Sequence, residues 1–491
     1  MRRKSLMVAS LAFAATLLGQ NITASAAEKF ALAGGQAKLG VQQVEVDVEV
    51  GGDLKMATDA KVKPTKMSVV AALKYQERVL AGKAPQVKGL RSIRYYDQAQ
   101  ATIKFERGGA TPKLAPERKL VVVDCASNAA PATLFSPSGP LTRDELDLID
   151  VAGNSLLLYS LLPEGQVALG ESWKLSADVL AGVLGLDSVG HSDVESVLTS
   201  VEGGVATIEA HGHVDGAIGG VATEIEVKTK ALLDLKTRHF TRFGLAVKEK
   251  RAIGMVTPGL DVVARIRLKF TPVESSAQLA EKALKDVPLD PHPAVTQLAF
   301  PDADGSFRFC YDRRWFIYQD DPTVTLLRMV DRGELIAQCN ISRLSKAEPG
   351  KKITAENFRE GIKEALGDRF KEFVSSEELP ADGGPAIYQV IAAGEASELP
   401  IQWHYYLITD KQGRHVAFTF TLESERAERF GQTGHDIVRT LEFLKQDEPE
   451  IAEEKPAAKT EGSKTEASKD DKAKSAKTPV ADKSAGKTPR K

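Results

Sequence analysis

The chain has little of what usually announces a chemistry. It holds only three cysteines, Cys125, Cys310 and Cys339, in 491 residues. An odd count excludes a complete disulfide framework, and with no Cys-x-x-Cys the common redox and zinc signatures are missing. Aromatics make up 6 % of the residues, too few for the stacking platforms that hold unpaired bases. A formal net charge of -2 supplies no field to draw nucleic acid or a membrane surface. Past the N-terminus, no run approaches the ~18 apolar residues of a transmembrane helix, so no membrane span is expected. Nucleophile elbows, phosphate loops and His-Glu-x-x-His are absent. The nearest elbow, Gly170-Glu171-Ser172-Trp173-Lys174, lacks its second glycine, and Gly216 to Gly220 leads into no Gly-Lys-Ser. The expectation is a protein without cofactor and without enzymatic activity.

What is present begins at the N-terminus. Arg2, Arg3 and Lys4 precede an apolar run from Leu6 to Leu18, and Ala24-Ser25-Ala26 follows. A charged start, a short apolar core and a small-residue cleavage site make a secretory signal over residues 1–26. The expected location is periplasmic or secreted, with a soluble product after cleavage. No cysteine stands near the site to carry a lipid anchor. Arg2-Arg3 points to the twin-arginine route, although Ser5 stands where Phe is usual. At the other end, residues 447–491 are rich in Lys, Ala, Glu, Ser, Thr and Pro and carry no aromatic. Such a segment cannot bury enough apolar surface to offset its ordering entropy, and is read as a disordered tail. From Lys472 on it holds seven basic residues against Asp482 alone. It is read as a solvating tail, with contact to an anionic surface as the alternative.

Residues 28–273 are rich in strand patterns. Val41–Val50 alternates with period two, as a half-buried strand does. Further strands are expected at Ser68–Val79, Ala99–Phe105, Leu120–Cys125, Ser155–Leu161, Val194–Glu202, Ala206–Gly212, Thr223–Asp234, Arg238–Lys250 and Asp261–Phe270. Thr142 and Glu145 form a capping box before Leu146, Leu148 and Ile149. So many strands suggest a curved antiparallel β-sheet or half-barrel. Residues 274–297, with Pro288, Pro291 and Pro293, read as a linker with a helical turn or two at Gln278–Leu284.

Residues 298–446 read differently. Strands are expected at Ser306–Tyr311, Val324–Val330 and Leu335–Leu344. A helix then opens at Thr354 with Phe358, Ile362, Leu366 and Phe370 on one stripe. Strands return at Phe373–Leu379, Ala386–Ala392, Ile401–Thr409 and His415–Leu422, with Asp382-Gly383-Gly384 and Lys411-Gln412-Gly413 as hairpin turns. A closing helix from Ser424 carries Phe430, Ile437, Val438 and Leu441, with Gly431 and Gly434 inside it. The whole chain is therefore α+β. Its C-terminal part is an antiparallel sheet flanked by helices.

Several segments of this part carry a resemblance. FRFCYDRRW (Phe307 to Trp315), TAENFREGIKEAL, AIYQV, QWHYYLITDKQGRHVAFTF and IVRTLEFL follow the order and pattern of the PsbP-like family, with Asp312 where proline is usual. The resemblance implies an α/β/α sandwich. Characterised relatives bind proteins: some stabilise photosynthetic complexes, and a similar nuclear fold binds a small GTPase. They are not enzymes. Earlier in the chain, LLPEGQVALGESW (Leu161 to Trp173) resembles a bacterial exported domain of unknown function, similar in shape to lipoprotein-carrier half-barrels.

Few residues qualify as site candidates. His211 and His213 share one side of a strand, and Glu209 extends that face as a third ligand, so a metal site and two solvated histidines are both open readings. His191, Asp193 and Ser188 are near in sequence, and read more simply as a polar loop than as a triad. His404 and His415 lie on the two arms of one hairpin as candidate cross-strand neighbours. Trp403, Tyr405 and Tyr406, with Trp315, are core and rim residues, or a protein-binding patch where two are exposed together. Cys310 and Cys339 form either one bridge or two buried thiols. Three functions follow: an exported protein-interaction or assembly module of the cell envelope, with an envelope protein as partner; a carrier of a lipid or other apolar ligand in the half-barrel; and an enzyme of unknown type.

Overall fold

The computed structural model describes residues 28–444, apart from 37–39, 58–60, 81–88, 126–131, 302–304, 322–323, 345–352 and 381–383. The stretch 1–26 expected to be an export signal, the expected tail at 447–491 and the expected Asp382-Gly383 turn lie outside the described residues.

Alternation of apolar and polar residues builds the N-terminal half into a 13-stranded antiparallel sheet. Its order is Thr133–Phe135, Leu120–Cys125, Leu90–Phe105, Thr65–Leu80, Val41–Lys55, Gly259–Val273, His239–Arg251, Val221–Asp234, Val205–Ile218, Glu195–Glu202 and Ser172–Lys174. Two short strands, Gly109–Ala110 and Ser188–Ser192, pair onto it from the side. The end strands do not meet, so the sheet stays open rather than closing into a barrel. One face is apolar: Val44, Val46, Val48, Leu73, Ile225, Val227, Phe243, Leu245, Ile266 and Leu268 are all buried. The other face carries cross-strand ion pairs such as Lys269–Glu45, Arg267–Glu49, Lys248–Glu226 and Lys230–Glu209. Exposed pairs of this kind add little stability, and their main effect is to keep a broad sheet face soluble.

The apolar face is covered by the chain itself. The segment from Leu141 to Leu186 lies on it and buries Leu146, Leu148, Ile149, Leu156, Leu157, Leu158, Leu161, Leu180 and Leu184. The Arg143–Ile149 helix starts where expected: Thr142 caps Glu145, and Glu145 reaches back to the Thr142 N–H. One expectation fails in this segment, and one element carries no expectation. Ser155–Leu161 is not a strand but a turn leading into the 3-10 helix Leu158–Leu161, because consecutive leucines pack downward with no alternation to set a sheet register. A helix at Ala177–Leu184 was not foreseen, although Ser176 caps its start and Gly185, at φ 72°, ends it in the left-handed conformation.

The stretch 274–297 is packed rather than loose. Leu279, Leu284 and Val295 form a small core with Ile93, Val122 and Phe135 on the outer side of the sheet. Beyond it, Trp315–Asp320, Val324–Asp331, Glu334–Leu344, His415–Glu423, Leu399–Thr409, Ala386–Ala396 and Phe370–Leu379 make a seven-stranded antiparallel sheet in that order. Leu298–Pro301, Phe307–Tyr311 and Glu442–Phe443 form a separate three-stranded sheet. The Ala355–Leu366 helix, capped by Thr354, covers one face through Ile362 and Leu366 against Val390, Ala392 and Trp403. The expected closing helix is broken: Gly431 at φ 55° separates Ala427–Phe430 from Thr433–Val438. Gly434 lies so near the sheet that an added Cβ would sit 3.2 Å from the Phe420 ring. With 56 % strand and 16 % helix, the fold is more sheet-rich than an α/β/α sandwich. Leu298, Phe307, Trp315 and Phe418 join the same core cluster as Leu146 and Phe243, so hydrophobic packing runs unbroken between the halves.

The three cysteines are free. Cys310 and Cys339 stand on strands of different sheets, which removes the neighbouring-strand geometry a bridge between them would need.

Candidate functional site

Two places in the molecule gather charged side chains, and they differ in kind. The first is sealed inside the N-terminal half. Glu77 and Arg94 sit on adjacent strands with side chains 1 % and 3 % exposed, joined by a 2.8 Å ion pair. Glu77 also accepts hydrogen bonds from Gln42, Ser92 and Ser155, at 3.1, 2.9 and 2.8 Å. Burial raises the Glu77 carboxyl, but the Arg94 charge and these hydrogen bonds more than reverse that and hold it below the usual range. The Arg94 guanidinium lies 4.8 Å from the centre of the Tyr75 ring and donates to Ser155 Oγ at 3.0 Å. Ser155 comes from the covering segment, so this network fastens that segment to the sheet. The cavity beside it measures about 20 Å³, room for about one water molecule.

The second place is a cleft of about 1240 Å³ between the halves. Its floor begins with the Arg143–Ile149 helix. Leu146, Leu148 and Ile149 face the core, which leaves Asp144, Asp147 and the following Asp150 exposed along the cleft. The opposite wall is the Trp315–Asp320 strand. Trp315 anchors it, fully buried against Phe420 and Phe430, while Phe316 and Ile317 line the cleft. Arg143 ties the walls together. Its guanidinium donates to the carbonyls of Arg313 and Trp315, at 2.7 and 3.1 Å, and lies 4.8 Å from the Phe316 ring centre. A third wall, Met255 to Thr257, is held by Arg328, which donates to the Met255 carbonyl at 2.9 Å. At one end the Gly219-Gly220 turn touches the Arg332-Gly333 turn. A Cβ on Gly220 would lie 2.1 Å from the Gly333 nitrogen, so only glycine permits this approach.

The charges of the cleft are unevenly satisfied. Arg251 pairs with Glu249, Arg314 with Asp312, and Asp331 with Arg429. Arg313 spends its donors on the Thr296 and Leu134 carbonyls. Asp147 has only a 3.9 Å contact with Arg143. The surrounding protein pushes its carboxyl up to about 6, aided by Asp150 and Asp144 and opposed by Arg143, although 65 % of the side chain is open to cleft solvent. Asp150 is raised in the same direction by burial, against Arg313 and Arg94. Three carboxyls on one short stretch thus lack a full complement of positive charge.

The residues singled out from sequence lie elsewhere. Trp403 and Tyr406 are 5 % and 2 % exposed, and Tyr405 is half-buried, so they form no exposed patch. Alternation along the strand sends Trp403 and Tyr405 under the Ala355–Leu366 helix and Tyr406 to the opposite face against Phe420. His213 bonds Asp215 at 2.8 Å and His211 points to solvent. Among the described residues no three His, Cys, Asp or Glu side chains converge as metal ligands. Asp193 accepts from the His213 backbone N–H, and among the described residues no hydrogen bond joins it to His191 or Ser188. His404 and His415 are not partners: His404 pairs with Phe420, and His415 with Thr409. Burial lowers His404 to about 4. The Trp315–Asp320 strand leaves little trace in the sequence because Trp315-Phe316-Ile317-Tyr318 has no alternation. Its one signal, an aromatic run after Asp312-Arg313-Arg314, is also what an interior turn looks like.

No protein-family model matches the chain, and no curated protein matches it. Among solved structures, a cyanobacterial PsbP (CyanoP) from Synechocystis sp. PCC 6803 aligns at 18 % identity and TM-score 0.24, over 30 % of this chain and 92 % of its own. A protein of Bacteroides thetaiotaomicron aligns at 15 % identity and TM-score 0.23, over 30 % of this chain; the match spans about half (49 %) of that protein's length. Lipovitellin aligns at 7 % identity and TM-score 0.27, over 49 % of this chain and 26 % of its own. These are weak likenesses of fold over part of the chain. Among the described residues no helix is long and apolar enough to cross a membrane.

Proposed function

We propose that this is an exported protein-interaction or assembly module of the cell envelope, without catalytic activity, and that it holds its partner in the cleft between the halves. One observation carries the reading. The cleft of about 1240 Å³ joins exposed apolar side chains, Ile317 at 39 % and Met255 at 53 %, to carboxylates without full counter-charge. A surface of this composition resembles the apolar centre and polar rim of a protein interface. The carrier alternative needs a lumen of some 300 Å³ or more on the inner face of the sheet. The Leu141–Leu186 segment occupies that face, and about 20 Å³ is left beside the Glu77–Arg94 pair.

The test is native mass spectrometry of the protein taken from its own envelope without detergent exchange, for wild type and Ile317→Asp. A co-purified protein that is lost from the variant is the expected result. A retained mass of a few hundred daltons, unchanged in the variant, would overturn the reading in favour of a carrier.

A further inference from the structure

The seven-stranded sheet ends in two edges that differ in register and charge. The Phe370–Leu379 edge breaks register twice, at Phe370/Glu372 and Phe373/Ser375, and carries Glu372, Glu377 and Glu378. Bulges and charges are how sheets refuse an added strand. The Trp315–Asp320 edge exposes Ile317 and Tyr318 side by side in its middle, where the other edge exposes Val374, and it breaks register once, after Ile317, rather than twice.

The backbone of that edge has a readable direction. The Val330 N–H donates to the Arg314 carbonyl at 2.9 Å, so Arg314 turns its polar groups inward to the neighbouring strand. By alternation Arg313, Trp315 and Ile317 turn theirs outward. The Arg143 side chain confirms this, because it takes the carbonyls of Arg313 and Trp315, two residues apart. It occupies the place that the N–H groups of a further strand would take. The next outward group in the series is Ile317, at the mouth of the cleft. Asp144, Asp147 and Asp150 follow Arg143 along the same wall.

We propose that the Trp315–Asp320 edge accepts an extended, lysine- or arginine-bearing segment of a partner protein as an added strand, its cationic side chains meeting Asp144, Asp147 and Asp150. The proposal rests on the interaction reading above and names the partner's chemistry. Main-chain hydrogen bonds at Ile317, the last outward residue before the register break, give affinity without sequence demand, and the aspartates give the sign of charge. A segment alternating apolar and basic residues satisfies both: one side packs on Ile317 and Phe316, and the other faces the carboxyls.

The experiment uses the mature full chain and three nine-residue peptides, measured by calorimetric titration. The first alternates Val and Lys, the second alternates Val and Glu, and the third is the Val-Lys peptide with alternate backbone nitrogens methylated. The Val-Lys peptide is expected to bind. Methylation removes two or so backbone hydrogen bonds and is expected to weaken it by about tenfold or more. Asp144→Asn/Asp147→Asn/Asp150→Asn is expected to weaken it comparably, and the Val-Glu peptide not to bind. Equal binding of the methylated peptide overturns strand addition, as does binding of Val-Glu at the same strength. If envelope mass spectrometry retains an Ile317-dependent partner while no peptide binds, strand addition fails and the interaction reading stands. If both are negative, both fall. A second copy of this chain as the retained partner, seen as a dimer by sedimentation, also overturns the proposal.

Discussion

The inner face of the N-terminal sheet and the cleft between the halves use the same residue types to opposite ends. Under the sheet, Glu77 and Arg94 are removed from water, and every lone pair of the carboxylate is met by Gln42, Ser92, Ser155 or Arg94. In the cleft, Asp144 and Asp147 stay exposed, Asp147 has only a 3.9 Å contact with Arg143, and Asp150 is raised by burial against Arg313 and Arg94. A charge taken out of solvent is tolerable only with its bonds complete, so the sealed network is structural and unavailable to a ligand. A charge left in a solvated recess with incomplete pairing retains free energy that a partner can recover. The difference separates a fastening from a docking surface.

The comparison breaks most visibly at the sealed pair. Glu77→Ala leaves the Arg94 cation buried and alone, and is expected to cost about 3–5 kcal/mol, read from the urea midpoint. Glu77→Leu with Arg94→Met is expected to recover much of that loss; a double variant no more stable than Glu77→Ala would show that the pair is not the source. Next comes the junction of the halves. Gly220 has φ 72° and abuts Gly333, so Gly220→Val is expected to cost about 1–3 kcal/mol and to open the cleft end to limited proteolysis. An unchanged digestion pattern would mean that the two turns do not hold the cleft closed.

Arg143→Ala removes the donor shared by the Arg313 and Trp315 carbonyls. Because Trp315 is fully buried, its carbonyl is left without a partner, and the expected loss is about 1–3 kcal/mol, below that at Glu77. A loss as large as that of Glu77→Ala would place the cleft wall in the same class as the sealed network. The smallest effect is at Asp147, whose carboxyl is raised to about 6 in the fold. An acid with a raised folded pKa binds a proton more readily when folded, so its contribution to stability falls as pH rises from roughly 4 through 6. Asp147→Asn is therefore expected to stabilise slightly above pH 6 and to do nothing near pH 4, with a size of about 0.5 kcal/mol or less for so exposed a group. Thermal melts at the two pH values read it, and an equal shift at both would remove the charge explanation.

Much of the scaffold was legible beforehand. The strand Leu120–Cys125 and the caps at Thr142 and Thr354 lie where the pattern placed them. Long strands such as Val205–Ile218 and Val221–Asp234 extend a few residues past their expected ends, because hairpin partners prolong pairing beyond the alternating core. The candidate site was not legible. Trp403, Tyr405 and Tyr406 looked like a patch, and the sheet sends them to two covered faces. Ser155 looked like the start of a strand, and it is a hydrogen-bonded pin above Glu77.

Periodicity, capping chemistry and turn residues act over a few neighbours along the chain, so they settled where strands and helices form and which of their sides are apolar. They carry no information about which charges meet. Ser155 reaches Glu77 across 78 positions and Arg143 reaches Trp315 across 172, and each contact exists because sheet register and helix packing bring the two ends within 3 Å or so. Electrostatic interaction depends on distance in space and on access to water. Folding sets both quantities, which is why the sealed pair, the open cleft and the exposed edge strand emerge together from the tertiary arrangement.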